Sequence, residues 1–145
     1  MTSTEPMTNE LTDLRDALVD VISTTELFTG PPSVPVLADE PDIVSKINKE
    51  LAKINLCAVV FKPKITSADS HLLHVQIGVS IYENTTLNRG GQTALKITGD
   101  DAHLNVVNAL HGVSVLPTWS PLLITNQGGD SEQEFSALFT CSMFF

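Results

Sequence analysis

Apolar positions along this chain change spacing several times, and each change marks an element. From Asn9 to Ser23 they fall at Leu11, Leu14, Leu18 and Val21, the three- and four-residue steps of a helix with one buried face. The passage "FTGPPSVPVLADEPD" follows. Its Gly30, Pro31, Pro32 and Pro35 exclude a helix, and "VPVL" predicts a short edge strand, where a missing N–H costs no ladder bond. Helical spacing returns over 40–54, with Asp39 as cap, Pro41 in the first turn, and Ile43, Ile47, Leu51 and Ile54 as the buried face.

"LCAVVFKPKI" is then apolar on both faces and predicts an interior strand, followed by a turn at "TSADS". "HLLHVQIGVSIYEN" alternates strictly. Leu73, Val75, Ile77, Val79 and Ile81 point one way, and His74, Gln76, Gly78, Ser80 and Tyr82 the other. A helix from Asp100 to His111 is predicted to bury Leu104, Val107 and Leu110, with Asp100 and Asp101 at its positive end and Gly112 as the left-handed residue after it. The remainder reads as strand, Gly-Gly turn, strand, the last strand presenting Phe135, Ala137, Phe139, Cys141, Met143 and Phe145 on one apolar face. The fold class implied is α+β: a mostly antiparallel four- or five-stranded sheet with about three helices packed on it. Residues 1–8 are expected to be a flexible N-terminal tail and residues 9–145 a single domain.

Length and charge narrow the function. A chain of 145 residues with 42% apolar content can build one real core. No apolar run approaches the ~18 residues of a membrane-spanning helix, and the N-terminus lacks the basic patch and apolar stretch of a secretory signal, so a cytoplasmic place of synthesis and no membrane partner are expected. The net charge of −9 is uneven: residues 1–45 carry −8, residues 46–96 carry +4, and residues 97–145 contain no Lys or Arg and carry −5. Such a chain repels phosphate backbones, and direct nucleic-acid binding is not expected. Lys46, Lys49 and Lys53 share one helix face, which either docks an acidic partner or is an ordinary solvated face.

The residues offer little chemistry. "NRGGQTALK" lacks the closing Gly-Lys-Ser/Thr of a phosphate loop, and no G-x-S-x-G elbow is present. His71 and His74 are three apart on a strand and point to opposite faces, while His103 and His111 sit about two helical turns apart. Asp13, Asp16 and Asp20 read as a solvent stripe, not a cation site. Cys57 and Cys141 lie in apolar runs and read as packing residues. Glu83, at the end of the long strand, is the best single acid or base and reads as a solvated strand-end charge. The expectation is no catalytic residue, no cofactor and no metal. The loop of Asn84, Thr85, Thr86, Asn88, Arg89, Gly90, Gly91 and Gln92 is polar and glycine-containing, without a nucleophile–base pair, and suits contact with another molecule. The paired Phe144 and Phe145 are expected to be buried, in the domain or against a neighbour.

The order of elements resembles the tail terminator, or tail completion, proteins of long-tailed bacteriophages, prophages and tail-like particles. The likeness rests on a short N-terminal amphipathic helix followed by "GPPSVPVL"; on "HLLHVQIGVSIYEN" giving way to a polar loop before the helix "DDAHLNVVNALHG"; and on the closing strands "SPLLITNQ" and "EFSALFTCSMFF". It is topological and covers most of the chain after residue 8; the helix over 40–54 is longer than that family's pattern and would suit a related neck or baseplate component. The resemblance implies a homo-oligomeric, hexameric ring on the tail tube that stops its polymerisation and presents the head-joining surface, without catalysis. The implied partners are other copies of the chain, the tail tube protein and a head completion or connector protein, and the implied location is the virion tail, assembled in the host cytoplasm. The alternatives are a small metal-binding or enzymatic α+β domain around the histidines and Glu83, or an adaptor docking through its lysines.

Overall fold

A computed structural model describes residues 4–30, 33–90, 97–131 and 134–144. The chain is α+β, with five helices among the described residues: α1 (Thr4–Ser23), α2 (Glu26–Thr29), α3 (Ile43–Ile54), α4 (Thr85–Gly90) and α5 (Gly99–Leu110). The described strands are β1 (Val36–Ala38), β2 (Leu56–Val60), β3 (Lys64–Asp69), β4 (Leu72–Glu83), β5 (Leu123–Ser131) and β6 (Glu134–Phe144). The sheet is mixed rather than purely antiparallel, in the order β1-β2-β4-β6-β5, with β3 also on β4. β1 runs parallel to β2 because α3 returns the chain between them. The long β4–β6 ladder forms the centre, from Leu72 opposite Phe144 to Tyr82 opposite Glu134.

The expected interior strand divides in two. β2 is buried at every position, but Pro63 cannot donate to the ladder, and the chain resumes as β3, exposed throughout. Both pieces lie along the same side of β4. The segment expected as a turn, "TSADS", is therefore mostly strand, and the reversal falls at Ser70 and His71, with Ser70 left-handed at φ 40°. Gly128 and Gly129 are likewise inside β5, not at its turn. Thr4 already has helical backbone, so α1 reaches back into the segment expected as a tail.

One continuous core fills the space between the sheet and α1, α2 and α5. Leu14, Leu18 and Ile22 of α1, Phe28 of α2, and Ala102, Val106 and Leu110 of α5 pack on the odd-numbered residues of β4 and β6. Of the face expected for α5, Leu110 is buried and Val107 packs partly on the core, but Leu104 is 60% exposed, and Ala102 and Val106 take the remaining core positions. Its N-terminus is closed by a capping box between Thr98 and Asp101, and Gly112, at φ 79°, takes the left-handed position after it. α3 lies against the opposite face of the sheet, over Cys57 and Val59 of β2, where Glu50 acts on the Cys57 thiol. Asp42, not Asp39, occupies its N-cap position, and Asp39 instead accepts the Lys62 N–H and, through its carbonyl, an Arg15 N–H. Ile43, Ile47, Leu51 and Ile54 do form one face, but each is only half-buried. Among the described residues no helix is long and apolar enough to cross a membrane.

Candidate functional site

Where β4 ends, a buried carboxylate organises the segment that the sequence marks for contact. Glu83 is 1% exposed, so it is not the solvated charge expected of a strand end. Its two oxygens accept from Gly99 N–H at 2.9 Å and from Asn88 Nδ2 at 2.7 Å. The Asn88 amide also donates to the Ile97 carbonyl at 2.9 Å. One side chain thus joins the end of β4, the short helix α4 and the first turn of α5, whose positive end favours a carboxylate. Gly99 is required there: a Cβ would stand 2.3 Å from the Phe135 ring and 2.8 Å from Glu83 Oε1.

The contact residues therefore separate. Asn84 accepts Leu87 N–H on its side chain and donates its own N–H to Asn55, which holds the left-handed position closing α3. Thr85 is half-buried, Thr86 is exposed, and Asn88 is turned inward and presents nothing to a partner. Arg89 and Gly90 belong to the backbone of α4, while Gly91 and Gln92 lie outside the described residues. The sequence missed Leu87, 49% exposed beside Thr86.

The lysine face is largely self-neutralised. Lys46 pairs with Glu40 at 2.7 Å and Asp42 at 3.6 Å, and the Glu40 hydrogen bond raises its pKa. Lys53 lies 3.9 Å from Glu50, leaving Lys49 without an ion pair among the described residues. Both cysteines are buried, and burial pushes each thiol up to about 12, which removes them as nucleophiles near neutral pH. Among the described residues no three histidine, cysteine or carboxylate side chains converge to hold a metal.

The sheet face opposite the main core is covered by α3 only towards its β1–β2 end. At the Leu72–Gln76 end of β4 and the Thr140–Phe144 end of β6 no helix lies over it among the described residues, and His74, Gln76, Thr140 and Ser142 are half-buried on it. Leu123 is 54% exposed on this face and Phe144, at the end of β6, is 80% exposed; Phe145 lies outside the described residues. Phe144 is thus uncovered within the domain, which corrects the expectation of burial there.

The same face carries an array the sequence did not reveal. His74 Nδ1 lies 2.9 Å from Ser142 Oγ, and His74 Nε2 lies 3.1 Å from Asp69 Oδ2. Alternation places His74 away from the core, but Ser142 is 68 residues distant and only the β4–β6 register brings it alongside. A shallow depression beside the array is lined by Thr66, Ser120, Pro121, Leu123 and Thr140. No protein-family model and no curated protein matches the chain.

Proposed function

We propose that the chain is a structural assembly protein of a phage tail, which closes into a ring of its own copies, caps the tail tube, ends its polymerisation and presents the head-joining surface. The observation that carries this reading is the open half of the sheet. Among the described residues no helix lies over this face beyond its β1–β2 end, and its two most exposed apolar residues, Leu123 at 54% and Phe144 at 80%, stand on the closing hairpin. Exposed apolar side chains grouped on one rigid face suit a surface meant to be covered. The closing hairpin, the central β4 and α5 stand in the order on which the resemblance to tail terminators rests, with the short helix α4 where that resemblance has a polar loop.

A ring needs one patch to meet a different patch on the next copy. The sheet face with Phe144 supplies one, and the exposed rim of α4 with Thr86 and Leu87 supplies the other. Sedimentation velocity of the purified chain is expected to show a discrete multimer, of hexamer size, that becomes monomer in Phe144→Ser with unchanged circular dichroism. Addition of the multimer to polymerising tail tube protein is expected to shorten the tubes. A chain that stays monomeric at millimolar concentration overturns the reading.

A further inference from the structure

We propose that Ser142 is a nucleophile towards short acyl esters, with His74 as its base and Asp69 as the residue that positions the imidazole. Proton direction assigns the roles. An ionised Asp69 has only acceptors to offer, so the His74 nitrogen facing it at 3.1 Å, Nε2, carries the hydrogen. In neutral His74 the other nitrogen, Nδ1, is then a lone pair. Ser142 Oγ, 2.9 Å away, must donate its proton to it. That is the ground state of a serine hydroxyl poised for deprotonation, with the two ring nitrogens exchanged relative to the serine-protease arrangement.

The surroundings supply a donor for the negative charge that an attacked carbonyl develops. Ser120 Oγ accepts Ser142 N–H at 2.9 Å, which leaves the Ser120 proton to donate. Thr140, two residues before Ser142 on β6, lies on the same face about 7 Å along the strand, too far for that charge, and lines the acyl end of the depression. Both line the depression beside His74, whose apolar side is Pro121 and the exposed Leu123. A shallow floor of this kind fits a small uncharged acyl group and no long chain. The neighbouring thiol on the core side, Cys141, is buried and held protonated, so the hydroxyl is the reactive group here.

The step is acyl transfer. Ser142 Oγ bonds to the ester carbonyl carbon as its proton passes to Nδ1. The tetrahedral adduct then breaks its C–O bond, and the leaving alcohol takes that proton. Water repeats the sequence, giving its proton to Nδ1, and frees the acid while Ser142 recovers its hydrogen. No oxidant, metal or second substrate besides water is needed.

The test is covalent labelling of the full chain with a fluorophosphonate. Ser142 Oγ displaces fluoride from phosphorus, and the serine proton leaves with it. Intact-mass spectrometry and peptide mapping are expected to show one adduct per chain, on Ser142, absent from Ser142→Ala and slowed at least about tenfold in His74→Gln, the loss expected when a general base is removed. Asp69→Asn offers Nε2 an amide donor and turns the imidazole around, so labelling falls, while Asp69→Glu keeps a carboxylate and restores it. The exposed hairpin position of Asp69, 75% accessible, makes both variants compatible with an unchanged fold, which circular dichroism verifies. No adduct, an adduct elsewhere, or equal labelling of Ser142 in His74→Gln overturns the proposal. Labelling is run on the Phe144→Ser chain, the monomeric form under the proposed function, so that no neighbouring copy covers Ser142 and the outcome is separate from ring formation.

Discussion

Gly99 is the residue with the least freedom to change. Alanine ordinarily stabilises a helix by about 1 kcal/mol over glycine. Here the added carbon would enter a space already held by the Phe135 ring, 2.3 Å away, and Glu83 Oε1, 2.8 Å away. Overpacking of that kind costs about 1–3 kcal/mol and outweighs the propensity gain. Gly99→Ala is therefore expected to lower the urea midpoint, and a raised midpoint would show that the Phe135 ring swings away freely. The two thiols carry a second residue-level consequence. Burial raises Cys57 and Cys141 from 9.0 to about 12, so the folded chain keeps its protons where the unfolded chain loses them. A pKa raised on folding contributes stability below the unfolded value and loses it as pH climbs through the folded one. Tyr82 adds to the same trend, raised from 10.0 to about 12 by burial first and Glu134 second. Melting temperature is expected to fall steadily between pH 9 and 12, and more shallowly in Cys57→Ala; a flat profile would contradict it.

At the scale of elements, the legible parts were those with a period. The alternation of β4, the core series of α1, the proline-limited β1 and the glycine after α5 all follow from local rules, and the structure has each of them. What a local pattern cannot carry is register. Ser67 and Ala68 look like a turn in isolation, but β4 offers an unpaired edge that draws them into a ladder, and the reversal moves to Ser70. Gly128 and Gly129 are drawn into β5 opposite Ser136 and Phe135 in the same way. Glu83 misled for a related reason, since a strand-end carboxylate is solvated unless a distant helix start arrives over it. That arrival makes a clamp between β4, α4 and α5, and the clamp can be tested. Glu83→Gln keeps the shape but has one acceptor oxygen for two donors, Gly99 N–H and the Asn88 amide. A buried donor left unmatched costs about 1–3 kcal/mol. Hydrogen exchange is expected to speed up in α4 and the first turn of α5 while β6 stays protected. Uniform protection across all three would mean that the clamp contributes nothing.

Taken as a whole, the molecule sets an apolar contact against a large like charge. Every copy carries −9, and copies brought into a ring repel one another. Two kinds of interface would respond to salt in opposite directions. If the lysines of α3 docked against acidic surface, added salt would weaken association by screening the attraction. The ion pairs of Lys46 with Glu40 and Asp42, and of Lys53 with Glu50, leave that face little net charge to offer. If the open sheet face with Leu123 and Phe144 makes the contact, the attraction is apolar and only the repulsion is screened. The screening length shrinks from about 14 Å at 50 mM salt to about 4 Å at 500 mM, shorter than the separation of most charges on adjoining copies. Sedimentation velocity at those two concentrations is therefore expected to show tighter association at the higher one. Dissociation at high salt would place the contact on charged surface and exclude the sheet face as its main source.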